Sequence, residues 1–208
     1  MTAAQVQSVV GAIRGGGVVV IPTDTVYGLA CDAGSVNAFE RLVELKGRDS
    51  GKPVALMAPT VDALLAALPE LRGSRVEPVL HELLPGKYTF VVPNVARSYP
   101  WLCGGSTETI GVRVPDLAGE ARTALDAAGL VAATSANLAG GLSPRTVAEI
   151  PEMLRSRVDG ILDTGPLEGQ ASTVVDLTLR EPVVLREGAV TSDVALAAAT
   201  RALTHALD

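Results

Sequence analysis

Apolar residues recur along this chain in two rhythms. Val6, Val9, Val10 and Ile13 fall at i, i+3, i+4 and i+7, and Val36, Phe39, Leu42 and Val43 nearly repeat that spacing ahead of Lys46. Each stretch predicts a helix with one buried stripe. Residues 118–128, 146–158 and 192–207 complete the predicted helices, the last capped by Ser192 or Thr191. Between them, short runs rich in β-branched residues at 18–21, 54–57, 89–92, 110–114, 131–134, 173–177 and 183–185 predict buried or half-buried strands. Strands alternating with helices imply an α/β sheet domain. The alternation breaks over 86–114, where two strand-like runs flank a polar loop, so a mixed sheet is expected. Gly and Pro are spread evenly and no repeat is visible, which predicts one domain over residues 1–208.

Composition then removes whole classes of function. One Trp, three Tyr and two Phe leave little for a base-stacking platform, and a net charge of -6 argues against a broad grip on a phosphate backbone. Two His and two Cys, scattered at His81, His205, Cys31 and Cys103, do not make an ordinary four-ligand zinc site. The apolar runs fall far below the roughly 20 residues that span a bilayer. The N-terminus has no basic segment followed by an apolar one, so a cytoplasmic protein is expected, with no membrane partner. The glycine-rich phosphate loop, the dinucleotide fingerprint, the nucleophile elbow and the zincin motif are all absent from the sequence.

Four polar segments remain as candidate chemistry. Pro22-Thr23-Asp24-Thr25-Val26-Tyr27-Gly28-Leu29 follows a β-branched strand, at the end where α/β sheets bind ligands. The same residues also fit a plain connection, in which Pro22 stops the strand, Asp24 or Thr25 caps a helix and Gly28 eases a turn. Lys46, Arg48 and Lys52 crowd the end of a predicted helix and could clamp a polyphosphate. Equally, cations favour helix C-termini, and Gly47 would be an ordinary residue beyond the last turn. Ser135 and Asn137 leave another strand ahead of Gly140 and Gly141, where a ligand's polar groups could bond; an Asn turn followed by a helix start at Ser143 and Pro144 fits as well. Last, Arg113 stands inside the apolar strand Thr109-Ile110-Gly111-Val112-Arg113-Val114, and Ser172-Thr173-Val174-Val175-Asp176 leads toward Arg186. An arginine there must reach the surface or meet an anion, because an unpaired buried charge is costly.

Taken in order, these segments resemble the Sua5/YciO/YrdC family, whose characterised members make L-threonylcarbamoyl-adenylate from L-threonine, bicarbonate and ATP. The likeness runs from about Gly15 to Gly188. The family's P-T-[DE]-T-x-Y-G-L appears as Pro22 to Leu29, its K-x-R as Lys46 and Arg48, and its S-x-N as Ser135 and Asn137; its S-T-V-V-D appears as Ser172 to Asp176, and its R-x-G-A as Arg186, Gly188 and Ala189. The resemblance implies a twisted mixed β-sheet flanked by helices, with a concave ligand-binding face, in the family's short form. It also implies that Thr25, Arg113 and Ser172 meet L-threonine, and that Lys46, Arg48, Lys52, Thr109, Ser135, Asn137, Ser143 and Arg186 hold ATP. Lys46 and Arg48 then carry the catalytic charge, while Mg²⁺ rides mainly on the phosphates. The product would pass to a transfer-RNA threonylcarbamoyl transferase complex, with direct transfer-RNA contact allowed but not required.

This chain departs from the family pattern at three places. Asp49 follows the K-x-R where many members have Pro, Met57 ends the next strand where His is frequent, and Lys87-Tyr88 replaces part of a P-G-P-x-T pattern. The last feature is closer to the YciO branch. A YciO-like paralogue with another small substrate or with ATP hydrolysis, and a non-catalytic RNA-binding protein, are the rival expectations. Cations gathered at the predicted nucleotide loop of an acidic chain favour the enzyme.

Overall fold

A computed structural model describes residues 3–47 and 51–205. The first predicted stripe forms α1 (Ala3–Arg14), which buries Val6, Val9, Val10 and Ile13. Strands β1 (Val19–Pro22) and β2 (Tyr27–Asp32) follow, then α2 (Val36–Lys46). Helix α2 begins where the Ser35 hydroxyl accepts the Ala38 N–H and ends at Gly47, whose φ of 58° is the left-handed conformation glycine adopts without a Cβ clash. Next come β3 (Ala55–Met57), α3 (Val61–Ala67), α4 (Glu77–Leu83), β4 (Tyr88–Pro93), β5 (Thr109–Arg113), α5 (Gly119–Ala128) and β6 (Val131–Ser135). The chain closes with α6 (Glu152–Arg155), β7 (Gly160–Ile161), β8 (Thr173–Asp176), β9 (Val183–Arg186) and α7 (Ser192–His205).

Among the described residues the strands form one nine-stranded sheet in the order β7-β1-β2-β6-β3-β5-β4-β8-β9. It is mixed: β1–β7, β3–β5 and β4–β8 pair parallel, the other neighbours antiparallel. Successive strand residues point to opposite faces, and the two faces have different fates. One carries Val20, Leu29, Leu56, Phe90, Val112 and Ala132, packed in a single core with Leu42, Leu64, Leu80 and Ala199 from α2, α3, α4 and α7. On the other, Val19, Ile21, Ala30 and Val131 pack against Ile13 of α1 and Leu125 of α5. Those two helices cover only the part of that face near β1, β2 and β7. Further along, the residues facing the same way are Gly28, Ala55, Gly111, Ala133 and Thr89, and they line a cavity. Small residues on every second position therefore open the concavity, while their neighbours on the same strands fill the core behind it.

Three sequence expectations need correction. Residues 22–29 contain no helix start: Pro22 pairs with Tyr27, so residues 23–26 close a hairpin and Gly28 lies inside β2. The helix expected over 146–158 is interrupted; Thr146 caps a single 3₁₀ turn at Val147–Glu149, and α6 starts only after Pro151, whose ring and missing N–H do not allow an unbroken helix. Ser143 and Pro144 begin no helix, and the Pro144 carbonyl accepts from the Tyr27 N–H instead. Among the described residues no helix is long and apolar enough to cross a membrane.

Candidate active site

The cavity above the bare part of the sheet measures about 460 Å³, within the size range of small-molecule sites. Lys46 reaches it from the last turn of α2. The lysine is buried, and its Nζ donates to the Ser135 carbonyl, to Ser135 Oγ at 3.3 Å and to Asn137 Oδ1 at 2.9 Å. Ser135 Oγ in turn donates to Asn137 Oδ1 at 2.6 Å, and Asn137 Nδ2 donates to the Gly141 carbonyl. Lys46 of the K-x-R and the S-x-N segment, 89 residues apart in sequence for Lys46 and Ser135, are thus one hydrogen-bonded unit. Lys46 is the last residue of α2, where its spacing placed it, but it is 4% exposed and so is no open surface cation.

A second unit surrounds Arg113 at the end of β5. Its Nη2 donates to Asp24 Oδ1 and, at 2.7 Å, to Thr25 Oγ1. Asp24 uses its other oxygen to accept the Asp116 N–H at 3.1 Å. Thr23 Oγ1 lies 3.0 Å from Thr25 Oγ1 and donates to the Val26 carbonyl at 2.7 Å, which locks the hairpin turn. Arg113 is 8% exposed, and its Nε is buried with no partner among the described residues. Burial pulls the guanidinium below its ordinary value against the opposing pull of Asp24, yet an arginine stays charged at neutral pH. This arginine is the anion-seeking residue that its place in an apolar strand implied; Asp24 meets part of that demand.

The third unit joins the S-T-V-V-D and R-x-G-A segments. Thr173 is fully buried; its Oγ1 accepts from the Gly188 N–H at 3.1 Å and the Val190 N–H at 3.0 Å and donates to the Val190 carbonyl. A Cβ at Gly188 would sit 2.2 Å from the Ala171 carbonyl oxygen, so this close crossing of two backbones needs glycine. The crossing brings Arg186 Nη2 to the Ser172 carbonyl at 2.7 Å and to Ser172 Oγ at 3.3 Å. Ser172 Oγ lies 2.8 Å from Thr89 Oγ1 on β4. A strap over 163–171 runs beside this unit, tied down by Tyr27 Oη, which accepts from the Thr164 N–H at 3.0 Å and whose single proton lies between the Gly165 carbonyl at 2.7 Å and Asp163 Oδ1 at 2.9 Å.

The charged residues lining the cavity are Lys46, Lys52, Arg113 and Arg186, and no carboxylate joins them among the described residues. In an acidic chain this is a local field suited to a polyanion. Mg²⁺ coordination needs oxygen donors, and the described lining offers no carboxylate for it. No group of three His, Cys, Asp or Glu gathers elsewhere among the described residues. The side chains here therefore do not fit a protein-held Mg²⁺. Burial pushes the Cys31 thiol up to about 12 and raises Cys103 as well, which leaves neither as a ready thiolate.

Of the site residues expected from sequence, Lys46, Lys52, Thr109, Arg113, Ser135, Asn137, Ser172 and Arg186 line this cavity. Thr25 is fully buried behind Arg113 and does not line it, and Ser143, half-buried, stands outside it too. Arg48 and Asp49 lie outside the described residues. Met57 lines the cavity beside Arg113, its partner in the β3–β5 register. Thr23, Thr89 and Thr134 line it as well and were not singled out from sequence. Thr89 was legible in principle, since the alternation that buries Phe90 aims Thr89 the other way.

The profile of the Sua5/YciO/YrdC family, described as telomere recombination, matches residues 11–188. The threonylcarbamoyl-AMP synthase of Thiobacillus denitrificans is 36% identical over 171 residues, covering 79% of this chain and 87% of that relative. Among solved structures, P. abyssi Sua5 complexed with L-threonine matches with a TM-score of 0.77 at 34% identity; the match covers 88% of this chain and 54% of that one, so this chain spans about half its length. E. coli YciO matches with a TM-score of 0.76 at 30% identity, covering 90% of this chain and 91% of that one. The same signature segments that read as four separate patches in sequence converge on one cavity, in a fold shared with these proteins, and the chain belongs to the Sua5/YciO/YrdC family.

Proposed function

We propose that this protein is an L-threonylcarbamoyl-adenylate synthase, joining L-threonine, bicarbonate and ATP with release of pyrophosphate. The observation that carries the reading is the convergence of Lys46, Arg113, Ser135, Asn137, Ser172 and Arg186 on one cavity with a cationic lining. Two chemical steps are required. The threonine amine attacks carbon dioxide, the dehydrated form of bicarbonate, and loses a proton to give a carbamate. A carbamate oxygen then attacks the α-phosphorus of ATP, and the bond to pyrophosphate breaks. Such a displacement depends on positioning and charge neutralisation more than on a covalent nucleophile. In this reading Lys46, Arg48, Lys52 and Arg186 hold the phosphates, with Thr109, Ser135 and Asn137 around the nucleotide and Ser143 at its outer edge. Arg113 receives the threonine carboxylate with Ser172 close to the amino acid, and Thr25 acts by holding Arg113. Mg²⁺ arrives on the triphosphate.

Consumption of ATP goes with a cytoplasmic location, and a mixed anhydride as product calls for a downstream transferase acting on transfer RNA. A second reading, a paralogue that adenylates another small amino acid, is favoured by Met57, because a thioether cannot donate a hydrogen bond at the threonine site. One assay separates the two. With Mg²⁺ and ATP, pyrophosphate is expected only when L-threonine and bicarbonate are both present, with threonylcarbamoyl-adenylate detected by mass spectrometry. Release with another amino acid in place of threonine selects the second reading.

The cavity floor supplies its own prediction. A Cβ at Gly111 would meet Ala55 Cα and Thr89 Cγ2 at 3.9 Å, ordinary contact distances. Gly111→Val is therefore expected to fold normally and to lose about 10- to 200-fold in kcat/KM by filling ligand space. Unchanged kcat/KM in a folded variant would show that the ligand does not rest on β5.

A further inference from the structure

Arg113 has unlike neighbours on its two flanks. On the β3 side stands Met57, its parallel partner in the sheet. On the β4 side, Thr89 and Arg113 are the next residues beyond the Phe90–Val112 pair of their strands, and Thr89 bonds to Ser172 at 2.8 Å. A Cβ built at Gly111 comes within 3.9 Å of Thr89 Cγ2, so the Thr89 methyl lies toward Gly111 while its hydroxyl is turned to Ser172.

The hydrogen-bond inventory of this hydroxyl pair is informative. Thr89 and Ser172 each own one O–H proton. Arg186 donates to Ser172 Oγ and so takes one of its lone pairs. The Thr89–Ser172 contact consumes one of the two protons, whichever hydroxyl donates. The other proton has no acceptor among the described residues, and both hydroxyls line the cavity. The pair therefore presents one O–H donor, with lone pairs beside it, to whatever fills the space next to Arg113. Ser172 is buried, so a cavity-side donor left without a partner there is costly.

We infer that Thr89 is a specificity-determining residue: together with Ser172 it hydrogen-bonds the side-chain hydroxyl of a β-hydroxy α-amino acid whose carboxylate sits on Arg113, while Met57 provides an apolar wall for that substrate's methyl group. This rests on the reading of the cavity as a threonine site. It adds the element that separates threonine from its isosteres. A site built to bond a hydroxyl rejects the analogue lacking it far more strongly than an apolar pocket rejects a missing methylene.

The test compares L-threonine with L-2-aminobutyrate, which differs only by the hydroxyl, in the full chain. Binding is measured by calorimetry and product by mass spectrometry. Wild-type protein is expected to prefer threonine by at least about 100-fold, and Thr89→Val to cut that preference by about 10- to 100-fold. Thr89→Ser, which keeps the hydroxyl, restores the preference, and ATP affinity stays level in both variants. A Thr89→Val protein that folds and keeps the wild-type preference overturns the inference while leaving the threonine reading intact. So does wild-type protein that binds 2-aminobutyrate as tightly as threonine, a result that needs no variant. If wild-type protein takes neither amino acid, the threonine reading falls and this inference falls with it.

Discussion

Asp24→Ala is expected to lower stability by about 3–5 kcal/mol, the range for removing one member of a buried ion pair. Asp24 and Arg113 side chains are 4% and 10% exposed, so water does not replace the lost carboxylate. The guanidinium would be left with Thr25 as its partner in this unit, with its Nε already lacking one. For a chain of 208 residues the loss corresponds to a fall of about 10 °C in melting temperature. The companion measurement is the Asp24→Leu, Arg113→Met double variant. Replacing both charges with apolar groups is expected to recover much of the stability while abolishing the anion site, since a buried pair often contributes little net stability. An Asp24→Ala protein that melts with the wild type would show that the pair does not bear on folding.

Lys46→Met is expected to reduce pyrophosphate release by at least about 100-fold, the scale for losing one preorganised charge at a transferring group. It is also expected to cost about 1–3 kcal/mol, because the Ser135 carbonyl and Asn137 Oδ1 lose a charged donor. The two effects have one origin: the ammonium that faces the cavity also closes the turn after β6. Lys46→Arg keeps the charge but brings a planar fork to a site shaped for a point donor, and should recover stability more than rate. Full ATP affinity with an unchanged melt for Lys46→Met would remove this lysine from the site.

Much of this fold was legible because its elements repeat simple rhythms. The buried face of α1 and the capped span of α2 follow directly from residue spacing. Strand β2 was hidden because Gly28 and the hydroxyls before it read as a turn, and the pairing of Pro22 with Tyr27 is a long-range fact of the sheet. Helices α3 and α4 are only seven residues each and separated by a 3₁₀ turn, too short for a period to stand out. Within the site, residue types disclosed the cations and hydroxyls but not their pairings. Asp24 read as a cap, yet it is the counter-ion of a residue 89 positions away. Thr25 entered as a threonine contact by resemblance, and its hydrogen bond from Arg113 was not visible in the residue types. Thr89 stood only as the end of a P-G-P-x-T-like stretch with no role of its own, because its significance comes from Ser172, 83 positions distant.

The division of labour between alternate strand residues has a consequence for how the chain can err. In β5, Ile110 and Val112 face the core while Gly111 and Arg113 face the cavity. A slip of one residue would exchange the sets, sinking a guanidinium into the apolar layer and placing branched side chains where the ligand rests. No misregistered form could hold the native packing or bind substrate. Occupancy of the cavity thus acts as a proofreader of strand alignment, since any ligand held there draws the population toward the one register that has both a core and a site.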